Sequence, residues 1–166
     1  MNTALFGRCG MPCGLCSMHH IQGESRCAGC RQNTKSFSAG CTRFSCCSEK
    51  GHLSCGQCEK YPCDKIANMA EFKGFHTNKV WLSICEEIRQ QGLENWYPQY
   101  EERCLLLEEA LAQYNNGRMK NFLCKLFIER DLDELKVLMR QAAEVQSESP
   151  KESFKRFMEL ALLQNL

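Results

Sequence analysis

CGMPCGLCSMHHIQGESRCAGC (residues 9–30) and CTRFSCCSEKGHLSCGQCEKYPC (residues 41–63) carry eleven of the fourteen cysteines of this chain, and what holds these two stretches together decides the fold. Three Cys-x2-Cys pairs lie within them: Cys13 with Cys16, Cys27 with Cys30, and Cys55 with Cys58. A Cys-x2-Cys turn aims two sulfurs at one point, and two such turns close the tetrahedron that zinc accepts at Zn–S distances of about 2.3 Å. Residues 1–63 are otherwise rich in Gly and Ser, with no sustained period of 2 or 3.6, so they lack the apolar surface to fold unaided. Metal is the natural substitute for a core.

Sequential pairing gives one site from Cys13, Cys16, Cys27 and Cys30 and another from Cys41, Cys46, Cys55 and Cys58; cross-braced pairing is equally allowed. Cys9, Cys47 and Cys63 remain, and with His19, His20 or His52 they complete a third site or replace members of the first two. The ordinary reading of each histidine is an exposed or locally hydrogen-bonded ring. The expected ligands are Cys9, Cys13, Cys16, Cys27, Cys30, Cys41, Cys46, Cys55, Cys58 and Cys63, holding about two to three zinc ions.

Iron is the alternative, because Cys9-x3-Cys13-x2-Cys16 is the spacing by which radical enzymes using S-adenosylmethionine hold a four-iron cluster. Those enzymes need a large α/β barrel, for which the rest of the chain is too short. An iron–sulfur electron carrier needs no barrel, and thiolate ligands alone do not separate the two metals.

The chain has 166 residues and a formal net charge of +1, with 25% charged residues, which gives no gross signal towards nucleic acid or membrane. No apolar run approaches the ~18 residues of a membrane span, and MNTALFGRCG lacks the basic stretch and apolar core of a signal peptide. A cytoplasmic setting is expected, where thiols stay reduced and dense cysteine points to metal or redox chemistry rather than disulfides. Residues 1–63 hold seven Lys or Arg against three Asp or Glu. A zinc with four thiolates carries a charge of about −2, so two such sites cancel this surplus and nucleic acid is not favoured.

After Cys63 the sequence turns helical. Asp64 caps a short helix carrying Ile66 and Met69, stopped by Gly74; Thr77 caps a second with Val80, Trp81, Ile84, Cys85 and Ile88 on one face, ended by Gly92. A third, from near Trp96 to Tyr114, aligns Trp96, Tyr100, Cys104, Leu107, Leu111 and Tyr114, with Pro98 in its first turn. A fourth from near Arg118 turns Met119, Phe122, Leu123, Leu126 and Phe127 inward. Asp131 with Glu134, and Ser149 with Pro150 and Glu152, open two more, which bury Leu135, Leu138, Met139 and Ala142, then Phe154, Phe157, Met158 and Ala161. Gln146 to Ser149 reads as the one linker. The expected fold is mainly α: an irregular zinc-ribbon or knuckle-like module over residues 1–63, packed on a bundle of five to six helices over 64–166, the two able to form one cooperative unit.

The segments CGMPCGLC (9–16), CAGC (27–30), CCSEKG (46–51) and CGQCEKYPC (55–63), with QQGLENWYPQYEER (90–103) and YNNGRMKNFLC (114–124), resemble a bacterial and archaeal family, domain-of-unknown-function family 3795. The likeness spans roughly residues 9–140 and implies zinc binding without an assigned reaction. Cys47, directly after Cys46, stands outside the family's pattern.

Two functions follow. One is a binding module, a structural zinc platform that presents a surface or groove to a protein or a small ligand, since closed structural sites use four protein ligands whereas catalytic ones leave a position open. The other is a redox or thiol enzyme in which Cys9, Cys47 or Cys63 reacts, Cys63 lying just before the helix that Asp64 opens. In the helical zone, Arg118 after Asn115, Asn116 and Gly117 is more simply a solvated arginine after a helix terminator than an anion site. Cys85, Cys104 and Cys124 are read as small buried hydrophobes, and Trp81, Trp96 and Tyr100 as core aromatics.

Overall fold

Apolar stripes at helical spacing produce most of the regular structure. The computed structural model describes residues 1–32, 40–67, 78–145 and 149–163. Among these are seven α-helices and no strand: α1 (Thr42–Glu49), α2 (Asp64–Ala67), α3 (Asn78–Gln91), α4 (Leu93–Tyr114), α5 (Lys120–Glu129), α6 (Leu132–Glu144) and α7 (Pro150–Leu163). Single 3-10 turns occupy Thr3–Leu5, Cys13–Leu15 and Cys55–Gln57. The chain is mainly helical, as its periodicity requires, and the described cysteine-rich residues form irregular backbone, 3-10 turns and the helix α1. The chain divides into two compact units, Met1–Pro98 and Gln99–Leu166.

In the first unit the cysteine-rich residues pack on α3. Trp81, Ile84, Cys85 and Ile88 are buried, as the stripe demands, and Cys47, Cys55, Tyr61 and Ile66 join Trp81 and Cys85 in one core. The approach is close enough to require glycine. A Cβ built on Gly56 would stand inside contact distance of the Cys85 carbonyl oxygen and 3.0 Å from the Cβ of Ile88. Polar contacts reinforce the seam, with the Tyr61 hydroxyl donating to the Leu82 carbonyl at 3.2 Å and Arg89 donating to the Cys58 carbonyl at 3.2 Å. Gly56→Ala is therefore expected to cost about 1–3 kcal/mol through overpacking against backbone that cannot rotate away. Gly40→Ala, where an added Cβ meets nothing within 4 Å, is expected to leave the denaturant midpoint in place.

Gly92 ends α3 with φ +83°, its N–H on the Ile88 carbonyl at 2.9 Å. Its own carbonyl accepts from Trp96 at 3.1 Å, so α4 starts at Leu93. This corrects the expected start near Trp96: Pro98 lies within the helix, past its first turn, where it has no N–H to give the preceding turn. At the amino terminus, Phe6 is fully buried with its ring centroid 5.4 Å from that of Trp96, and the Asn2 N–H donates to the Tyr97 hydroxyl at 2.7 Å. In α2, Ile66 is buried; Met69, Gly74 and Thr77 lie outside the described residues.

In the second unit α5 buries Leu123, Cys124 and Phe127, α6 buries Leu135, Leu138, Met139 and Ala142, and α7 buries Ser153, Phe157 and Ala161. Phe157 stacks on Tyr114 at 4.7 Å. Phe154 and Met158, expected inward, are half-buried at the margin of the stripe. The expected capping box at Asp131 does not form. Its side chain makes no capping bond, and Glu134 instead pairs with Arg130 at 3.7 Å. Arg103 donates to the carbonyls of Phe127, at 2.9 Å, and Arg130, while Arg130 donates to the Ala161 carbonyl at 2.8 Å. Each guanidinium thus satisfies carbonyls at a helix end that have no partner within the helix. Of the expected linker, residues 146–148 lie outside the described residues.

Candidate metal centre

Two of the three Cys-x2-Cys pairs, Cys13 with Cys16 and Cys55 with Cys58, sit on turns closed by their own backbone. The Cys16 N–H bonds to the Cys13 carbonyl at 3.1 Å, and the Cys58 N–H to that of Cys55 at 3.0 Å. The second turn is further set by a capping box: the Ser54 hydroxyl accepts from Gly56 N at 3.1 Å, and the Gln57 side chain accepts from Leu53 N at 2.8 Å and Ser54 N at 3.1 Å. The Ser-x-x-Gln spacing is visible in the sequence, although the absence of a following apolar run disguises it.

Two arginines lace the first cysteine stretch to the second. Arg8 accepts the Cys55 N–H on its carbonyl at 2.7 Å, donates through Nη1 to the His52 carbonyl and lies 4.9 Å over the Phe44 ring. Arg31 donates to the carbonyls of Leu53 and, at 3.2 Å, Phe6, and stacks 4.8 Å from the Phe6 ring.

Cys46, Cys47, Cys55, Cys58, Cys63 and His52 line one cavity of about 20 Å³, room for a single water-sized occupant. Arg43, Lys50 and Lys65 line it too. Lys50 Nζ is 3.9 Å from the Cys58 sulfur, and a hydrogen bond with Cys46 raises the pKa of the Lys65 ammonium. The Cys47 and Cys55 sulfurs are 3.4 Å apart. That hydrogen bond, with Arg8, Arg31 and Lys50 nearby, brings the Cys47 thiol down to about 7 against its burial, and the same bond followed by burial pushes Cys55 up.

A second thiol pair lies in the first stretch. A hydrogen bond from Cys13, aided by Arg31, brings Cys30 down to about 7, and raises Cys13 in turn. Cys16 stands in the field of Cys27 and Cys30 and is raised chiefly by burial. Burial likewise pushes Cys9 up to about 11, with Cys30 and Cys41 as its charged neighbours. The cavity therefore gathers Cys46, Cys55, Cys58 and Cys63 from the expected ligands, whereas Cys41 is not among its lining and stands near Cys9.

All fourteen cysteines are free thiols. Among the described residues no three His, Cys, Asp or Glu side chains converge closely enough to hold an ion; the thiols are paired rather than gathered to a point. In kind and neighbourhood the donors nevertheless fit a soft divalent metal: five thiols about an atom-sized space, with cations placed to balance thiolate charge. His19 is buried with Nδ1 on the Cys27 carbonyl at 3.0 Å, and His20 has Nε2 on the Gly14 carbonyl at 2.8 Å, the local hydrogen bonding expected of them.

Spacing left the place of Cys47 open and gave no sign of the cations beside the thiols. A cysteine adjacent to another has no distinguishing spacing of its own, but the helical pattern from Thr42 turns successive side chains by about 100° and sends Cys46 and Cys47 different ways. Elsewhere, Asn115 accepts from Gly117 N and Met119 N, and Asn116 accepts from Arg118 N, so the turn binds its own N–H groups and Arg118 is exposed.

The order of the cysteines and their closed turns is the decisive feature. Residues 5–68 match the family described as a protein of unknown function (DUF3795). The DUF3795 stretch takes in all eleven clustered cysteines and ends before the segments at 90–103 and 114–124. Comparison with curated proteins and with solved structures gives no match.

Proposed function

We propose that the DUF3795 stretch is a thiolate zinc module whose role is structural, a platform for binding a protein or small ligand in the reducing cytoplasm. The observation that carries the reading is the cavity: five thiols and His52 surround a space sized for one atom, with Arg43, Lys50 and Lys65 beside them. Zinc, when bound, cross-links thiolates without redox chemistry. The chain's own residues set the turns, hold the two cysteine stretches together through Arg8 and Arg31, and supply positive charge against the sulfurs. The proposed ligands are Cys9, Cys13, Cys16, Cys27, Cys30, Cys41, Cys46, Cys55, Cys58 and Cys63. Arg8, Arg31 and Arg43 are bonded to backbone carbonyls of the stretch itself, which ties their side chains to the protein's own backbone.

The thiols brought to about 7, Cys30 and Cys47, favour a second reading as a redox or thiol enzyme, because such sulfurs are partly thiolate at neutral pH. Elemental analysis separates the two. Purified anaerobically, the protein is expected to be colourless with about two to three zinc ions per chain. Brown protein with stoichiometric iron and a broad visible absorption would replace the zinc module by an iron–sulfur carrier. Metal-free protein that folds normally would leave the thiol enzyme.

A further inference from the structure

The cavity holds one more thiol than a tetrahedral ion needs, and the surplus is not the residue that spacing singles out. Cys46 and Cys47 are consecutive on α1, so they project about 100° apart. Cys46 is half-buried and faces the Lys65 ammonium, whereas Cys47 is 3% exposed and meets Cys55 at 3.4 Å between sulfurs. Two thiolates on one zinc at about 2.3 Å lie roughly 3.8 Å apart, so this pair already stands near the edge of a coordination tetrahedron.

Charge supplies an independent observation. The Nε groups of Arg8 and Arg43 are buried without a hydrogen-bond partner among the described residues. Arg43 lines the cavity, and Arg8 packs on Phe44 of α1, the helix that carries Cys47. Both guanidinium groups also donate through Nη1, to the carbonyls of His52 and Lys65, and a zinc with four thiolates, of net charge about −2, is the complement to the positive charge they place about the thiols.

We infer that Cys47 is a zinc ligand, sharing an ion with Cys55, and that Cys46 is the cavity thiol left outside the coordination shell. The inference rests on the zinc reading proposed above and revises its ligand set at one position, with Cys47 in place of Cys46 beside Cys55. Cys58 and Cys63 are the remaining thiols of the same lining.

Zinc per chain, measured on the full-length protein, tests it together with alkylation of native thiols mapped by mass spectrometry. Cys47→Ser is expected to lose one zinc relative to the unsubstituted protein, as Cys58→Ser does, and Cys46→Ser to keep its full complement. Because a ligand substitution can also impair folding, the unsubstituted protein supplies the second measurement. There, Cys47 and Cys55 are expected to resist alkylation until a chelator is added and then to react together, while Cys46 reacts at the same rate before and after. A zinc-loaded protein in which Cys46→Ser loses the ion and Cys47→Ser keeps it overturns the assignment alone, as does a Cys47 that alkylates equally fast with and without chelator. Unsubstituted protein that binds no zinc overturns the zinc module and the assignment with it.

Discussion

Withdrawing zinc with a strong chelator in the presence of reductant is expected to open the cysteine-rich residues to protease while Gln99–Leu166 persists as a helical fragment. The magnitudes favour a large effect. Structural zinc contributes roughly 10–16 kcal/mol to the folding of small peptides, which matches or exceeds the roughly 5–15 kcal/mol that holds a whole domain together. The described residues of 1–63 have few large apolar groups of their own; Leu5, Phe6, Leu15 and Tyr61 are buried, and most of what remains outside α1 is irregular backbone and thiols. Because α3 packs on the Cys55–Gln57 turn through Gly56, its amides are expected to lose protection with the module rather than survive with the later helices. Limited proteolysis read by mass spectrometry decides the matter. Unchanged cleavage within residues 17–60 after chelation would show that the cysteines are not structural ligands, and complete loss of helical signal would show one cooperative domain.

Phe157→Ala is expected to produce a smaller but still large loss of stability in the other unit by a different route. Phe157 is fully buried and stacked on Tyr114, which is itself 1% exposed, so truncation leaves a cavity with rigid walls on α4 and α7. A buried Phe→Ala costs about 3–5 kcal/mol, of which the ring pair accounts for about 0.5–1.5. Urea unfolding of the zinc-loaded chain, followed by circular dichroism, would register the loss in the helical transition, with zinc content unchanged. A loss under about 1 kcal/mol, or a fall in zinc, would contradict the assignment of Phe157 to a core that stands without metal.

The helices were legible because burial in an amphipathic helix leaves a period in the sequence. The α3 stripe through Trp81, Ile84, Cys85 and Ile88 and the α6 stripe through Leu135, Leu138, Met139 and Ala142 are buried as read. What spacing could not fix was competition between equivalent local partners. Glu134 had Asp131's capping box and Arg130's guanidinium within reach and takes the second. Likewise, Cys-x2-Cys spacing identifies turns that can present two sulfurs, but which sulfurs meet depends on how the stretches fold together. Cys47 reaches Cys55 because α1 turns it inward, and Cys41, at the amino-terminal end of that helix, falls away from the cavity. The cations about the thiols were invisible for the same reason: Arg8 and Arg31 are remote in sequence from the carbonyls of His52 and Leu53 that they bind.

The linked arginines of the second unit have a kinetic consequence. Helix ends ordinarily fray one at a time, each opening on its own and reclosing quickly. Here the carbonyl of Arg130 is held by Arg103 while its side chain holds the carbonyl of Ala161, so the ends of α5 and α7 are tied through one residue. The ends of these two helices are expected to open as a single event, which hydrogen exchange would register as one shared rate for the amides behind them rather than two.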